Sequence, residues 1–301
     1  MMVAKNKSLG RENIFGSCLM ILSMAAFAGE DSIIKALSAE LPVSQIIFLI
    51  GIGGAVVFLI SGLFLNREIL VSEINSVPMH ARIITEICGR IFYSLALALT
   101  SLSSTTMILQ ATPLVVVAGA AIFFKEKVGV IRWLAIGLGF IGVLLVVSPN
   151  EKEFNLLSLL AILGMLGFAL RDLASRAVSP KLNIFTLGCH GFLSLAVAGI
   201  LLSLILQQPF LTVSEKAWLF LAAGIILGVV GYGSLISAMR IGEVSAITPF
   251  RYTRLIFGLS IGYFIFDENI GFYAGLGCLL IVLSSLVVLY FGKTGRTAYD
   301  P

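Results

Sequence analysis

Apolar runs long enough to cross a bilayer recur along the whole chain. A spanning helix takes about 20 apolar residues. Ten such segments can be drawn, over residues 14–36, 43–65, 82–100, 103–124, 129–148, 155–178, 183–206, 216–239, 244–266 and 270–291. Short polar stretches separate them, among them "KEK", "SPNEKE", "SPKLN" and "DEN". Of 301 residues, 58% are hydrophobic and 12% are charged, whereas soluble domains carry about 25% charged residues. No soluble core needs so much apolar sequence, so the surface must be apolar and the solvent a lipid bilayer. The expected fold is an all-α membrane protein of ten transmembrane helices.

The basic N-terminus runs into an apolar stretch that continues into a charged, helix-compatible segment. A cleavable signal would stop at a small-residue site, so this reads as a retained first helix. Lys and Arg collect on cytoplasmic segment ends. With the N-terminus inside, those ends hold Lys5, Lys7, Arg11, Arg67, Arg82, Lys125, Lys127, Arg132, Arg176, Lys181, Arg240, Lys293 and Arg296. The other side holds Lys35, Lys152 and Lys216. Both termini are therefore expected in the cytoplasm. A net charge of +4 gives no argument for nucleic acid. Cys18, Cys88, Cys189 and Cys278 lie in apolar segments without C-x-x-C spacing, and read as buried thiols rather than zinc ligands or disulfides.

The chain repeats itself. Met24, Phe27, Ala28, Asp31, Ala36 and Ser38 recur at one fixed offset as Met165, Phe168, Ala169, Asp172, Ala177 and Ser179, and Lys35 meets Arg176. Ala96, Ser103, Thr106, Phe124, Glu126 and Gly129 recur at nearly the same offset as Ala238, Ser245, Thr248, Phe266, Glu268 and Gly271. The units are residues 14–148 and 155–291, five segments each. Five is odd, so the second copy enters the membrane from the opposite side. Inverted repeats of this kind build secondary transporters, with the substrate site at the repeat interface near the midplane.

The stretches "LQATPLVVVAGAAIFFKEKVGVIRWLAIGLGFIGVLLVVSP" (109–149) and "PFRYTRLIFGLSIGYFIFDENIGFYAGLGCLLIVLSSLVVLY" (249–290) resemble the drug/metabolite transporter superfamily, in its ten-helix branch with two EamA repeats. "PFRYTRLI" and "DSIIK" resemble a subset that includes bacterial importers of S-adenosylmethionine and riboflavin. Other relatives export amino acids or metal-chelating metabolites. The subset often carries an arginine in the second helix, where Ile50 stands here. The resemblance implies a bacterial inner-membrane location, a central cavity lined by both halves, and peripheral fifth and tenth helices.

Charge inside a membrane costs about 2.5–3.5 kcal/mol per residue on insertion scales. The segments nevertheless hold Glu30, Asp31, Glu86 and Asp172 with Arg90, Arg171, Arg251 and Arg254. The balance suggests internal pairing, a zwitterionic ligand, or both. Asp31 with Lys35, Asp172 with Arg176 and Glu86 with Arg90 are spaced i,i+4, which places each pair on one helical face. Glu30 and Arg171 occupy equivalent repeat positions with opposite charge, so they are expected to meet across the two-fold axis as a gate or ligand pair. Arg251 and Arg254, with Tyr252 between them, offer flat forks suited to carboxylate or phosphate. Gln110, Thr112, Tyr93 and Tyr232 could supply neutral hydrogen bonds and aromatic walls. Candidate substrate-binding residues are thus Glu30, Asp31, Glu86, Arg90, Gln110, Arg171, Tyr232, Arg251, Tyr252 and Arg254.

Pro113 should bend the fourth segment. Gly224 with Gly228, and Gly271 with Gly275, have the G-x-x-x-G spacing of close helix contacts. No G-x-S-x-G or H-E-x-x-H occurs, so no hydrolase nucleophile or metal site is visible. "VGYG" at 230–233 lacks the flanks of a potassium filter. The expected activity is carriage of a small polar or zwitterionic metabolite, by a monomer or homodimer, without cofactor or metal. Export, a channel, and an intramembrane enzyme are the alternatives.

Overall fold

A computed structural model of the chain describes residues 2–69, 71–123, 129–146, 157–179, 181–241 and 247–294. The described elements are helical. They are α1 (Met2–Leu37), α2 (Val43–Phe64), α3 (Val77–Leu99), α4 (Leu102–Leu109), α5 (Thr112–Phe123), α6 (Val130–Val146), α7 (Ser158–Arg176), α8 (Ile184–Leu206), α9 (Glu215–Ile241), α10 (Thr253–Phe266) and α11 (Phe272–Thr294), with 3-10 helices at Ser72–Asn75 and Thr248–Tyr252. Large apolar side chains cover the outside, including Phe64, Leu219 and Phe264. Lipid can solvate such a surface, and water cannot.

Six stretches are long and apolar enough to span a membrane: Glu12–Leu37, Val43–Phe64, Leu102–Phe123, Ser158–Ser175, Ile184–Leu206 and Glu215–Ile241. Trp133–Val146 and Phe272–Val287 are shorter apolar helices. The ten expected crossings are therefore met outright by six. Helix α3 is less apolar because Arg82, Glu86 and Arg90 point one stripe of it inward.

The expected fourth segment is two helices. Gln110 and Ala111 donate their N–H groups to the carbonyls of Met107 and Ile108, both at 3.1 Å, so the chain tightens to 3-10 geometry before α5 begins. Pro113, the second residue of α5, has no N–H to continue an α-helical ladder. The ninth segment also opens as the 3-10 helix Thr248–Tyr252, which runs into α10. The two irregular stretches fall at matching positions of the sequence repeat. Asn66 and Gln207, which end α2 and α8, also match in the repeat and share a left-handed φ of 51°.

The principal helix contacts pair α2 with α8, α1 with α9, α3 with α7, and α6 with α11. Each joins residues before 148 to residues after 155. Where α3 crosses α7 the backbones nearly touch, for a Cβ on Gly167 would lie 2.5 Å from the Gly89 Cα. Of the two G-x-x-x-G pairs, Gly224 faces α1 and α2, and Gly228 faces α1 and α8, closely. Gly275 of the other pair faces open space. Cys18 and Cys88 are exposed on the outer surface rather than buried, whereas Cys189 is buried. The repeat partners Phe124, Glu126 and Ser245, and the Arg176 side chain of the expected Asp172 pair, lie outside the described residues.

Candidate functional site

A cavity of about 70 Å³ lies where the two irregular stretches meet α1, α3, α7 and α9. Residues before 148 contribute Met24, Phe27, Arg90, Tyr93, Leu109, Gln110, Thr112 and Pro113. Residues after 155 contribute Phe168, Arg171, Tyr232, Leu235, Arg251 and Arg254. Broken helices put unpaired backbone groups and side chains at such sites without exposing them to lipid. Here the Thr112 hydroxyl donates to the Leu109 carbonyl at 2.5 Å and satisfies part of the break.

The carboxylates stand behind the arginines rather than in the cavity wall. Asp31, 2% exposed, accepts hydrogen bonds from Arg254 at 2.5 Å and from the Tyr93 hydroxyl at 2.9 Å. Glu86, 1% exposed, accepts from Arg90 at 3.1 Å and from Arg171 at 3.2 and 3.3 Å. Asp172 accepts from Arg171 at 2.8 and 3.0 Å, and Arg251 reaches it at 3.5 Å. Each acid thus holds one or two guanidinium groups, which is the condition for tolerating such charges indoors.

Aromatic faces fix the same arginines. The Arg90 and Arg171 guanidinium carbons lie 5.5 and 5.0 Å from the Phe168 ring centre. Arg254 lies 5.3 Å from Phe27 and 5.8 Å from Tyr93. Stacking on a ring leaves the N–H edge of the guanidinium free for an acceptor in its plane.

Six of the ten sequence candidates line the cavity: Arg90, Gln110, Arg171, Tyr232, Arg251 and Arg254. Asp31 and Glu86 back it. Glu30 is buried off the cavity, on the α9 side of α1, where a Cβ on Gly228 would lie 3.0 Å from its Oε1. That oxygen has no hydrogen-bond partner among the described residues. Tyr252 is buried off the cavity, and its hydroxyl has no hydrogen-bond partner among the described residues. The expected meeting of Glu30 with Arg171 does not occur, because Glu86 and Asp172 already hold that arginine. Nor does Asp31 pair with Lys35. Lys35 donates to the Thr100 carbonyl at 2.6 Å and lies 3.7 Å from Glu268. Of the i,i+4 pairs with both side chains described, only Glu86–Arg90 forms. Ile50 is fully buried in the apolar core, away from the cavity lining.

Two participants escape the sequence reading. Arg82, assigned there to a helix end, is buried and donates to the Tyr232 hydroxyl, and to Ser175 Oγ at 3.1 Å. Its spacing offers a signal, since Arg82, Glu86 and Arg90 fall at i, i+4 and i+8 on one face. Phe168 figures in the repeat, yet nothing in the sequence marks it as the ring between two arginines.

A cavity ringed by arginines inside a bundle of long apolar helices marks a multi-pass membrane protein. The chain belongs to the EamA-like transporter family, whose pattern matches residues 14–148 and 155–290. It is 24% identical over 288 residues to a protein of Rickettsia prowazekii named S-adenosylmethionine uptake transporter, covering 94% of this chain and 95% of that one. It is 27% identical over 178 residues to a riboflavin transporter of Vibrio cholerae, covering 59% of each. One solved crystal structure, at 18% sequence identity, superposes with a TM-score of 0.64 and covers 96% of this chain and 99% of the other, which shows a shared fold.

Proposed function

We propose that the chain is a secondary transporter that carries a small polar organic metabolite across the bacterial inner membrane by alternating access. The two five-helix halves have inverted topology, both termini face the cytoplasm, and the halves rock about the cavity. Arg90, Gln110, Arg171, Tyr232, Arg251 and Arg254 touch the substrate. Asp31 and Glu86 hold the arginines in place. One observation carries the reading. One helix breaks at Gln110–Ala111 and another opens as the 3-10 helix Thr248–Tyr252, at corresponding points of the sequence repeat, and residues from both irregular stretches line one cavity. Corresponding interruptions in two halves are the feature that most often marks a transporter's binding site.

The relatives make S-adenosylmethionine and riboflavin the first substrates to try. Purified protein in liposomes, preloaded with unlabelled compound, should take up the labelled one saturably and competably in counterflow. Flux that rises linearly with concentration would mark a pore instead. Absence of uptake for every compound in a metabolite panel would overturn the reading.

A further inference from the structure

The transport reading leaves the substrate's charge open, and the inference drawn from the site's own charges rests on that reading. Around the cavity the described residues hold five guanidinium groups, on Arg82, Arg90, Arg171, Arg251 and Arg254. Three carboxylates engage them: Asp31, Glu86 and Asp172. The hydrogen-bond partners of Arg82 are hydroxyls. Glu30 is the fourth acid nearby, and it does not line the cavity. Even with Glu30 ionised, the cluster carries one positive charge in excess. With Glu30 protonated, the excess is two. Uncompensated charge inside a membrane bundle is costly, and an anion bound here would offset it.

Hydrogen bonding points the same way. Arg254 Nε and Gln110 Nε2 are buried N–H donors with no acceptor among the described residues. Both residues line the cavity, from opposite halves of the chain. Gln110 is 6% exposed, and an unsatisfied buried donor costs about 1–3 kcal/mol. Among the described residues the lining presents no carboxylate to a ligand cation. Phe27 and Tyr93 lie against the Arg254 guanidinium, whose Nε donor has no partner among the described residues.

We infer that the substrate presents an oxyanion, a carboxylate or a phosphate, to Arg254 and Gln110, and that the site rejects a substrate whose recognised end is cationic. The oxyanion accepts the two orphaned donors and cancels the surplus charge. Asp31 and Glu86 orient the arginines without competing for that space.

Thermal unfolding of the purified protein in detergent tests this with four probes of one ring: benzoate, phenyl phosphate, benzamide and benzylamine. Benzoate or phenyl phosphate should raise the melting temperature saturably, and the amide and amine should not. Gln110→Leu, which removes a donor without removing charge, should weaken the anion's apparent affinity about tenfold. Arg254→Gln combined with Asp31→Asn, which removes both partners of one ion pair and leaves the cluster's net charge unchanged, should abolish the shift by removing the Arg254 donor. Equal stabilisation by benzylamine or benzamide, no stabilisation by either anion, or a shift that survives both variants would overturn the inference. Anion binding without counterflow would remove the transport reading and leave this one standing. Counterflow of a cation, or of uncharged riboflavin, that the anions do not inhibit would do the reverse.

Discussion

Arg254 and Asp31 meet at 2.5 Å although 223 residues of chain separate them. Arg254 comes from the first turn of α10 and Asp31 from the last two turns of α1, so the pair ties the halves beside the cavity. Breaking a buried pair from one side leaves a naked charge and costs about 3–5 kcal/mol. Asp31→Asn and Arg254→Gln should therefore each lower the melting temperature strongly. The double variant should recover most of the loss, as read from a thermal double-mutant cycle. The same cycle on Glu30→Gln and Arg171→Gln should give a coupling near zero, since those side chains do not touch.

Glu86 is the acceptor for two arginines, on its own helix and on α7. Glu86→Gln would strip the charge from beneath both, whereas Arg90→Gln leaves Glu86 still held by Arg171. The expected order of destabilisation is Glu86→Gln greater than Arg90→Gln, with the larger loss on the order of 3–5 kcal/mol. Equal melting temperatures for the two variants would place the weight of the network elsewhere.

The apolar segments and the helix break at Pro113 are legible because each leaves a local mark on sequence. Bilayer thickness sets segment length, and proline removes a backbone donor. Ion-pair partners leave no such mark. The i,i+4 rule places Asp31 beside Lys35, yet the cation that Asp31 holds is Arg254 from another helix. Lys35 meanwhile finds the Thr100 carbonyl and Glu268. Helical spacing states which side chains share a face, and cannot state which opposing helix supplies the better partner. For the same reason Arg82 reads as a helix end, although its register with Glu86 and Arg90 is visible.

Gly228 and Gly275 both belong to G-x-x-x-G spacings, and the structure separates them. A Cβ on Gly228 would come within 3.0 Å of Glu30 Oε1 and 3.1 Å of the Phe192 ring. Overpacking of that degree costs about 1–3 kcal/mol. Gly275 meets nothing within 4 Å. Gly228→Ala should lower the melting temperature and Gly275→Ala should leave it unchanged or raise it slightly, through higher helix propensity.

Glu268 closes one end of the bundle. Its carboxylate accepts from the backbone N–H groups of Leu102 and Ser103 at 2.7 and 2.8 Å, where α4 presents unsatisfied donors and a positive dipole end. Lys35 of α1 lies 3.7 Å away, so one side chain from the second half binds two elements of the first. Any movement that parts the halves at this end must release those contacts. Glu268→Ala should cost about 1–2 kcal/mol, the worth of a helix cap, and the loss should appear locally. Hydrogen exchange at the Leu102 and Ser103 amides should quicken several-fold, while amides at the α3–α7 crossing keep their protection. Uniform quickening across the bundle would show that Glu268 supports the whole fold rather than this end of it.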